Sequence, residues 1–222
     1  MSITLDDRLQ TCADFVRERA VLADVGTDHA YLPVYLIQQG KISFALACDI
    51  NKQPLLSAKE TVTEYGVDEN VSLRLCDGLE GIDENEFSDL VIAGMGGELI
   101  IKILQNCSYI KNSRYRLILQ PMSKVYDLRR WLVENGFEIS DEKAASANNK
   151  IYTVLCVQYF GENSQQSEEF YHFGKLLEKE DEKSKEYVDK IKKSLIKRAK
   201  GILSADNENK QAKELLSLCE RI

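Results

Sequence analysis

Acidic residues stand at the ends of three short apolar segments of this 222-residue sequence. Asp24 lies near the end of AVLADV, Asp49 closes FALACD, and Asp77 follows LRLC. If these segments are parallel strands, their carboxyl ends meet at one edge of a sheet, where ligands bind in open α/β folds. A carboxylate after the second strand can accept hydrogen bonds from ribose hydroxyls, and one after the third can accept from an adenine amino group. Together the three positions indicate a nucleoside-binding site.

The loop that begins at the first of these acids can bind an anion. Gly26 lets the backbone approach a ligand closely, and the helix that follows begins with N–H groups that lack partners, which suits a carboxylate such as that of methionine. Thr27 and Asp28 lie in the same turn. The loop departs from the dinucleotide-binding fingerprint because Asp28 and Ala30 occupy its later glycine positions. Taken alone, an ordinary strand-to-helix turn explains it equally well.

The second and third acids each have a simpler interpretation as well. Asn51 follows Asp49 and could assist it in binding a ribose, but it also precedes a helical segment and could serve as that helix's N-cap. Gly78 follows Asp77, and Asp-Gly is a common turn signal. Leu79 is expected to pack against a purine ring.

Glycines after the fourth apolar segment predict another part of the same edge. The sequence AGMGG places Ala93, Gly94 and Gly96 where bare backbone can contact a ligand, with Met95 beside its reactive group. Simple loop packing is the alternative for Met95. Gln120 ends the fifth segment and could either hydrogen-bond an incoming base or act as a polar strand end.

Hydrophobic periodicity and turn signals predict seven strands that alternate with helices. The predicted strands cover residues 20–25, 44–50, 71–76, 89–93, 116–120, 137–141 and 151–160, with Pro121 stopping the fifth. The predicted helices cover residues 5–19, 31–39, 52–65, 98–105 and 125–135. Short apolar strands between helices indicate an α/β fold with a mostly parallel sheet covered on both faces, and the last two strands suit an antiparallel pair.

The composition changes near residue 161, so we expect two units: residues 1–160 as the ligand-binding domain and 161–222 as a helical appendage. A polar linker, GENSQQSEE, precedes a long amphipathic helix over residues 170–203 and a second helix after residue 210, which together suggest a coiled-coil-like hairpin. The appendage contains a cluster of basic residues without an acidic one: Lys190, Lys192, Lys193, Lys197, Arg198 and Lys200. This cluster could bind phosphate, or it could be only a solvated helix face.

Several classes of protein are disfavoured by composition. The first ten residues have no basic segment followed by an apolar one, and no apolar run approaches 18 residues, so we expect neither a secretory signal nor a membrane span. The six cysteines form no C-x-x-C pair and several lie in strand-like segments, which suggests reduced core residues in a cytoplasmic protein. With two histidines and no clustered ligands, no metal site is expected. The net charge of −7 argues against general affinity for nucleic acid.

Four motifs together resemble the TrmK family, bacterial tRNA (adenine-22-N1)-methyltransferases. They are DVGTDHAYLP, VIAGMGG, LILQP and the N-terminal LDDRL, and the resemblance extends through the helical C-terminus. It implies a class I S-adenosylmethionine-dependent methyltransferase fold, Rossmann-like with a seven-stranded mostly parallel sheet. It also implies S-adenosyl-L-methionine as the methyl donor and N1 of an adenine in the D-arm of tRNA as the acceptor. Met122 departs from the family, whose members often have Asn after the Gln-Pro pair.

The resemblance also implies roles for particular residues. The positions that match cofactor-contacting motifs are Asp24, Gly26, Asp28, Asp49, Asp77, Gly78, Gly94 and Gly96. Asp7, Arg8, His29 and Tyr31 match positions that flank the acceptor pocket. Tyr31 could stack on the adenine or be a core aromatic, His29 could orient the base or be structural, and Arg8 could contact RNA or pair within the first helix. Either Asp7 or Asp28 could ease the positive charge that develops on the methylated base.

Two other functions stay open on sequence grounds. The chain could be a class I methyltransferase that acts on a small molecule or a protein, or a non-catalytic RNA-binding protein of the same fold. Arg114, Arg116, Lys124, Arg129 and Arg130 could extend a tRNA-binding surface toward the basic cluster. The helical hairpin could instead dimerise the protein, although we expect a monomer.

Overall fold

A seven-stranded sheet forms the centre of the computed structural model, which describes residues 3–222. The strands lie in the order β3-β2-β1-β4-β5-β7-β6. Their bounds are β1 Val21–Val25, β2 Phe44–Asp49, β3 Val71–Leu75, β4 Asp89–Gly96, β5 Arg116–Ser123, β6 Phe137–Ala147 and β7 Lys150–Tyr159. The first five strands are parallel, and β7 is antiparallel to both β5 and β6. The predicted fold, a class I methyltransferase sheet with a closing antiparallel pair, is confirmed.

Helices cover both faces of this sheet. They are α1 Asp7–Phe15, α2 Tyr31–Gln38, α3 Lys52–Glu64, α4 Gly97–Gln105 and α5 Val125–Glu134. Successive residues of a strand point to opposite faces. Accordingly Leu90 and Ile92 belong to one buried cluster while Val91, between them, belongs to another. The central strands are therefore apolar at nearly every position, which is why their sequences show continuous rather than alternating hydrophobicity.

Four predicted elements, α1, β4, β5 and β6, differ from the structure by three residues or more at one end. The first helix begins after Asp6, whose Oδ1 accepts from the Leu9 N–H at 2.7 Å, and it ends at Phe15 rather than residue 19. Strands β4 and β5 continue past their predicted ends to Gly96 and Ser123, and they stay paired there across two shifts of register. Strand β6 has 11 residues instead of five, since its hairpin with β7 continues to the turn at residues 148–149.

The long C-terminal helix predicted over residues 170–203 is broken into three pieces. They are α6 Glu168–Phe173, a 3₁₀ helix Gly174–Glu178 and α7 Glu182–Ala205. Gly174 has φ +62°, and a β-carbon there would lie 2.0 Å from Glu142 Oε2, so only glycine fits at this break. Asp181 then begins α7 as its N-cap, accepting from the Ser184 N–H at 3.0 Å.

The predicted helical hairpin is present at the C-terminus. Helix α8 Lys210–Arg221 packs against α7 through a buried cluster that includes Leu195, Leu218 and Cys219. Only residues 206–209 separate the two helices, and near the end of α8 the Cys219 thiol lies 3.9 Å from the carbonyl oxygen of Lys192, well before the end of α7, so the helices run antiparallel. Helix α7 also contacts β6 and β7, which attaches the hairpin to the sheet.

A buried ion pair lies where the C-terminal helices meet the sheet. Arg129 of α5 and Glu142 of β6 are both fully buried, with Nη2 and Oε1 2.5 Å apart. Arg129 also donates to the carbonyl oxygens of Tyr171 and His172 at 3.1 and 2.8 Å. The prediction that Arg129 belongs to a tRNA-binding surface is wrong, because its side chain is committed to this interior network.

The cysteines and helices show two simpler features. All six cysteines are free and five are buried, as expected for reduced core residues. Of the helices within residues 3–222, none is both long and apolar enough to cross a membrane.

Candidate active site

The acidic residues predicted to share one edge of the sheet are brought together by strand pairing. Asp24 of β1 pairs with Ala47 of β2 on one side and with Val91 of β4 on the other. Asp49 pairs with Leu75, the last residue of β3, so Asp77 follows two residues beyond. Because these strands are parallel, their carboxyl ends form one edge, as the sequence predicted.

The loop after β1 is tied to β2 through its backbone. The N–H groups of Gly26 and Thr27 both donate to the Cys48 carbonyl oxygen, at 2.8 and 2.9 Å. Gly26 has φ +78°, and a β-carbon on it would lie 2.1 Å from the Met95 methyl carbon. The Met95 side chain therefore lies directly over Gly26, which joins the first loop to the glycine segment at the end of β4.

Two consecutive non-glycine residues of this loop have left-handed backbone conformations. His29 has φ +62° and Ala30 has φ +54°, which is strained for residues with a β-carbon. This turn sets the His29 and Tyr31 rings parallel, with centroids 5.1 Å apart and planes within 6°. Tyr31 is 41% exposed, so the core-aromatic interpretation of it is wrong. The pair presents an aromatic surface next to the cofactor loop.

Among the described residues, no side chain caps the backbone N–H groups at the start of α2. Ala30 occupies the N-cap position and makes no side-chain cap hydrogen bond. Asp28, on the same loop, is exposed, and its Oδ1 lies 3.5 Å from His29 Nε2. The first-turn N–H groups of α2 could thus hold a ligand carboxylate.

Asp24 and Thr27 lie beneath this loop and are both buried. Burial raises the pKa of Asp24 to about 6, although the nearby Thr27 hydroxyl opposes the shift. Within residues 3–222 the Thr27 hydroxyl makes no well-formed hydrogen bond. A buried acid and an unsatisfied hydroxyl at a ligand-binding edge are what a site for a cationic, hydrogen-bonding cofactor would contain.

The Asp49 side chain is held in place by the second residue after its strand. Its Oδ1 accepts from the Asn51 N–H at 2.7 Å. Asn51 occupies the N-cap position of α3, as its alternative interpretation predicted, but its side chain makes no cap hydrogen bond and is exposed. Sequence reasoning missed Ile50 between them, an apolar side chain 59% exposed at the ligand edge. The position of Ile50 directly after the acidic end of a strand could have identified it as a residue of the candidate ligand site.

The third acidic position is partly as predicted. Asp77 is exposed and Gly78 has φ +59°, with Ile103 only 3.0 Å from where its β-carbon would be. Leu79 belongs to the main buried cluster and also lines the cavity beside Asp77, so its packing against a purine ring stays a prediction. This cavity has a volume of about 280 Å³ and is lined also by Leu99.

Gln120 is committed to internal hydrogen bonds. It is fully buried, and its Oε1 accepts from the Gly94 N–H at 2.9 Å and from Arg8 Nη1 at 2.8 Å. Its Nε2 donates to the Pro121 carbonyl oxygen at 3.2 Å. The prediction that Gln120 binds an incoming base is therefore not supported. Gln120 and Arg8 instead fix the position of the Gly94 backbone.

Asp7 faces the C-terminal helices. Its Oδ1 lies 2.6 Å from Lys183 Nζ, and its Oδ2 accepts from the Ser146 N–H at 2.6 Å. Partial burial would raise the pKa of Asp7, but these two hydrogen bonds hold it below its ordinary value. Because both oxygens are occupied, the prediction that Asp7 eases charge on a base is not supported by its position. Asp7 connects α1 with β6 and α7.

Five of the six basic residues of the C-terminal cluster lie on one side of α7. At about 100° per residue, Lys190, Lys193, Lys197, Arg198 and Lys200 fall within an arc of about 160°, and Lys192 lies outside it. Lys190 and Arg198 line a large groove. The other three are exposed, and the Lys193 ammonium pairs with Asp189 at 2.5 Å. Lys192 is partly buried beside α8.

Comparison with known proteins agrees with this geometry. Residues 5–155 match the methyltransferase domain family model. Over 156 residues the chain is 40% identical to the tRNA (adenine(22)-N(1))-methyltransferase of Bacillus subtilis. The aligned region covers 70% of this chain and 66% of the relative, which is just under two thirds of the relative's length.

Solved structures match nearly the whole chain. The B. subtilis m1A22 tRNA methyltransferase TrmK superposes with a TM-score of 0.81 at 32% identity, covering 99% of this chain and 96% of that one. A Streptococcus pneumoniae putative tRNA (m1A22) methyltransferase in complex with S-adenosyl-L-methionine gives a TM-score of 0.83 at 32% identity, covering 98% and 99%. With the fold, the motif positions and these matches in agreement, the chain belongs to the TrmK family of class I methyltransferases.

Proposed function

We propose that this protein transfers a methyl group from S-adenosyl-L-methionine to N1 of adenine 22 in the D-arm of tRNA. The observation that carries the proposal is the carboxyl edge of the sheet, where parallel strands bring Asp24 and Asp49 to the same end as Gly26, whose bare backbone lies against Met95. The B. subtilis relative is named for this reaction, and the S. pneumoniae structure contains this cofactor. A tRNA substrate implies a cytoplasmic location.

The residues at this edge fit the chemical groups of the cofactor. Asp49 would accept from the ribose hydroxyls, with Asn51 beside it and Ile50 against the adenine. Asp77 would accept from the adenine amino group, and Gly78 would let the backbone pass close to it. The first-turn N–H groups of α2 would hold the methionine carboxylate, and Asp24, Thr27, Asp28, Ala93, Gly94 and Gly96 would complete the walls. When bound, the cofactor supplies an electrophilic methyl group on a sulfonium.

The acceptor chemistry requires little from acid–base groups. Adenine N1 carries an in-plane lone pair that is free at neutral pH, so no proton must be removed before it attacks. The protein contributes orientation and exclusion of water. With Asp7 occupied by Lys183, Asp28 is the carboxylate of this loop that could ease the positive charge developing on the purine.

His29 and Tyr31 would receive the target base. Adenine N1 belongs to the Watson–Crick edge, so the base must be unpaired or flipped out before it can react. The exposed Tyr31 ring, supported from below by His29, offers a stacking surface for such a base. Arg8 and Gln120 act as positioning residues, because they hold the Gly94 backbone rather than the base.

The C-terminal helices would bind the body of the tRNA. In this proposal residues 1–160 carry the chemistry and residues 161–222 form the RNA-binding appendage of a monomer. Of the basic cluster, Lys190 and Arg198 face the groove between the two parts, which makes them the stronger candidates for RNA contacts. Lys192, Lys193, Lys197 and Lys200 would add a general attraction to phosphate.

The proposal is tested by incubating the protein with methyl-labelled S-adenosylmethionine and bulk tRNA that lacks this modification. Nucleoside analysis of the digested RNA should find 1-methyladenosine. An Asp49→Ala variant should lose most activity, because it loses the acceptor for the ribose hydroxyls. Label at an exocyclic nitrogen, or no label in RNA despite measurable cofactor binding, would exclude the proposed reaction. No cofactor binding by the folded protein would leave only the non-catalytic alternative.

A further inference from the structure

A groove of about 1010 Å³ separates the catalytic part of the chain from the C-terminal helices. One wall is formed by residues 121–127, which join β5 to α5, and the other by residues of α7 and α8. Strand β5 pairs Pro121 with Met95 and Ser123 with Gly96. The groove therefore begins where the proposed methyl-transfer edge ends, and an RNA segment lying in it would be continuous with the target base.

Two aromatic rings line this groove side by side. The Tyr126 and His172 ring centroids are 4.5 Å apart, with planes inclined by 36°. Burial lowers the pKa of His172, and the nearby Arg129 and Arg198 guanidinium groups lower it further, while Glu168 opposes the shift. The lowered pKa favours the neutral form of the imidazole. The His172 side chain is only 10% exposed and packs against the Tyr126 ring, so Tyr126 is the partly exposed ring of the pair on which a nucleobase can stack.

The cations of the groove differ in what they already contact. Lys190 Nζ donates to the Ile151 carbonyl oxygen at 2.6 Å and lies over the Tyr152 ring. Arg130 Nε lies 2.9 Å from Glu134 Oε1. Arg198 is exposed and has no hydrogen bond or ion pair to any residue in the described range 3–222. Its guanidinium is therefore the groove's available partner for a phosphate.

We propose that this groove binds an unstacked nucleotide of the tRNA, next to the target, with its base against Tyr126, which His172 supports, and its phosphate on Arg198. This inference rests on the proposed function, since it takes tRNA as the substrate. An acidic protein of net charge −7 repels RNA in general, so affinity must come from local sites of this kind. The combination of an aromatic platform with an unpaired guanidinium favours a single-stranded nucleotide over a peptide.

The test compares charge removal inside the groove with matched removal elsewhere. Arg198→Gln removes the groove cation, and Lys111→Gln removes an exposed lysine before β5, at the opposite end of that strand. Dissociation constants for unmodified tRNA are measured by fluorescence anisotropy at several salt concentrations. Arg198→Gln should raise Kd about fivefold or more and reduce the slope of log Kd against log salt by about one. Lys111→Gln should stay within about twofold of the parent.

The aromatic platform is tested separately. Tyr126→Leu removes the ring and should raise the tRNA Kd about fivefold or more, whereas Tyr126→Phe keeps the ring and should restore binding. Cofactor affinity, measured by calorimetry, should not change in any of the four variants, which also shows that each is folded.

The inference is overturned if Arg198→Gln behaves like Lys111→Gln, or if Tyr126→Leu binds tRNA as tightly as the parent. Both outcomes are distinguishable from failure of the proposed function, because the parent protein would still bind cofactor and methylate tRNA. A parent protein that binds no tRNA would overturn the inference and the proposed substrate together.

Discussion

Neutralising Glu142 should destabilise the protein far more than neutralising a surface carboxylate of the same strand. Glu142 is fully buried and lies 2.5 Å from Arg129, which is fully buried as well. It also accepts from the Thr153 hydroxyl at 2.6 Å and from the Lys175 N–H at 3.0 Å. Glu142→Gln preserves the shape of the side chain but leaves the Arg129 guanidinium charged in the interior without a counter-charge.

The size of the effect follows from this burial. Removing one partner of a buried ion pair destabilises a protein by about 3–5 kcal/mol. Folded proteins of this kind are stable by roughly 5–15 kcal/mol, so the loss is a large fraction of the total. At about 2–4 °C per kcal/mol for a chain of this length, the melting temperature should fall by roughly 6–20 °C.

Urea unfolding followed by circular dichroism measures the free energy directly. Glu138→Gln is the matched control, because Glu138 lies on the same strand and is exposed. Its unfolding free energy should differ from the parent's by less than about 0.5 kcal/mol. The double variant Arg129→Met with Glu142→Leu removes both charges together and should recover most of the stability lost in Glu142→Gln.

Three outcomes would refute this reasoning. A loss below about 1 kcal/mol for Glu142→Gln would mean that the Arg129 charge is not isolated from water in solution. A double variant no more stable than the single one would mean that packing or hydrogen bonding, and not the unbalanced charge, sets the loss. Two separate unfolding transitions in the parent would mean that the pair does not couple the C-terminal helices to the sheet.

Three further predictions concern the cofactor and acceptor sites. Gly26→Ala should raise the Kd for S-adenosylmethionine, measured by calorimetry, at least about tenfold. A left-handed φ costs an alanine about 1–2 kcal/mol, and the added β-carbon would displace the Met95 side chain. An unchanged Kd would contradict this prediction. The pKa of Asp24 is about 6 in the folded state, above its value in the unfolded chain. The folded protein therefore loses stability as the pH rises from about 4 to 6, because the buried carboxyl group must then ionise. Asp24→Asn should match the parent in urea unfolding at pH 4 and exceed it by up to about 3 kcal/mol above pH 6, whereas a difference independent of pH would exclude this cause. Tyr31→Leu should raise the KM for tRNA about fivefold or more, whereas Tyr31→Phe should leave it unchanged. Equal KM values for the two variants would mean that the Tyr31 ring does not contact the target base.

Much of the fold is visible in the sequence because it depends on local patterns. Short apolar strands, helix periodicity and the acids at strand ends are each encoded within a few residues. The positions of Asp24, Asp49 and Asp77 at one edge followed from the single assumption that their strands are parallel. The glycine segment after β4 was recognised for the same reason.

Contacts between distant parts of the chain could not be predicted in this way. Gln120 and Arg8 are 112 positions apart, and nothing near either residue indicates that they bond to each other. Asp7 and Lys183 are 176 positions apart. In both cases a polar side chain that looked available for substrate is occupied by a partner that only the tertiary structure supplies.

Sequence periodicity also could not indicate the close packing of the backbone at Gly174. The apolar pattern continues across Gly174, so it predicts one long helix there. The break arises because Glu142, more than thirty residues earlier, occupies the space that a side chain at position 174 would need. A single glycine in an amphipathic segment is too weak a signal to reveal such a contact.

The most direct test of the proposed reaction uses two tRNA transcripts that differ only at position 22. One carries adenine and the other guanine, and each is incubated with the protein and methyl-labelled S-adenosylmethionine. We expect label only in the adenine transcript, at N1 of that base. Equal labelling of both transcripts, or label on any other atom, would contradict the account.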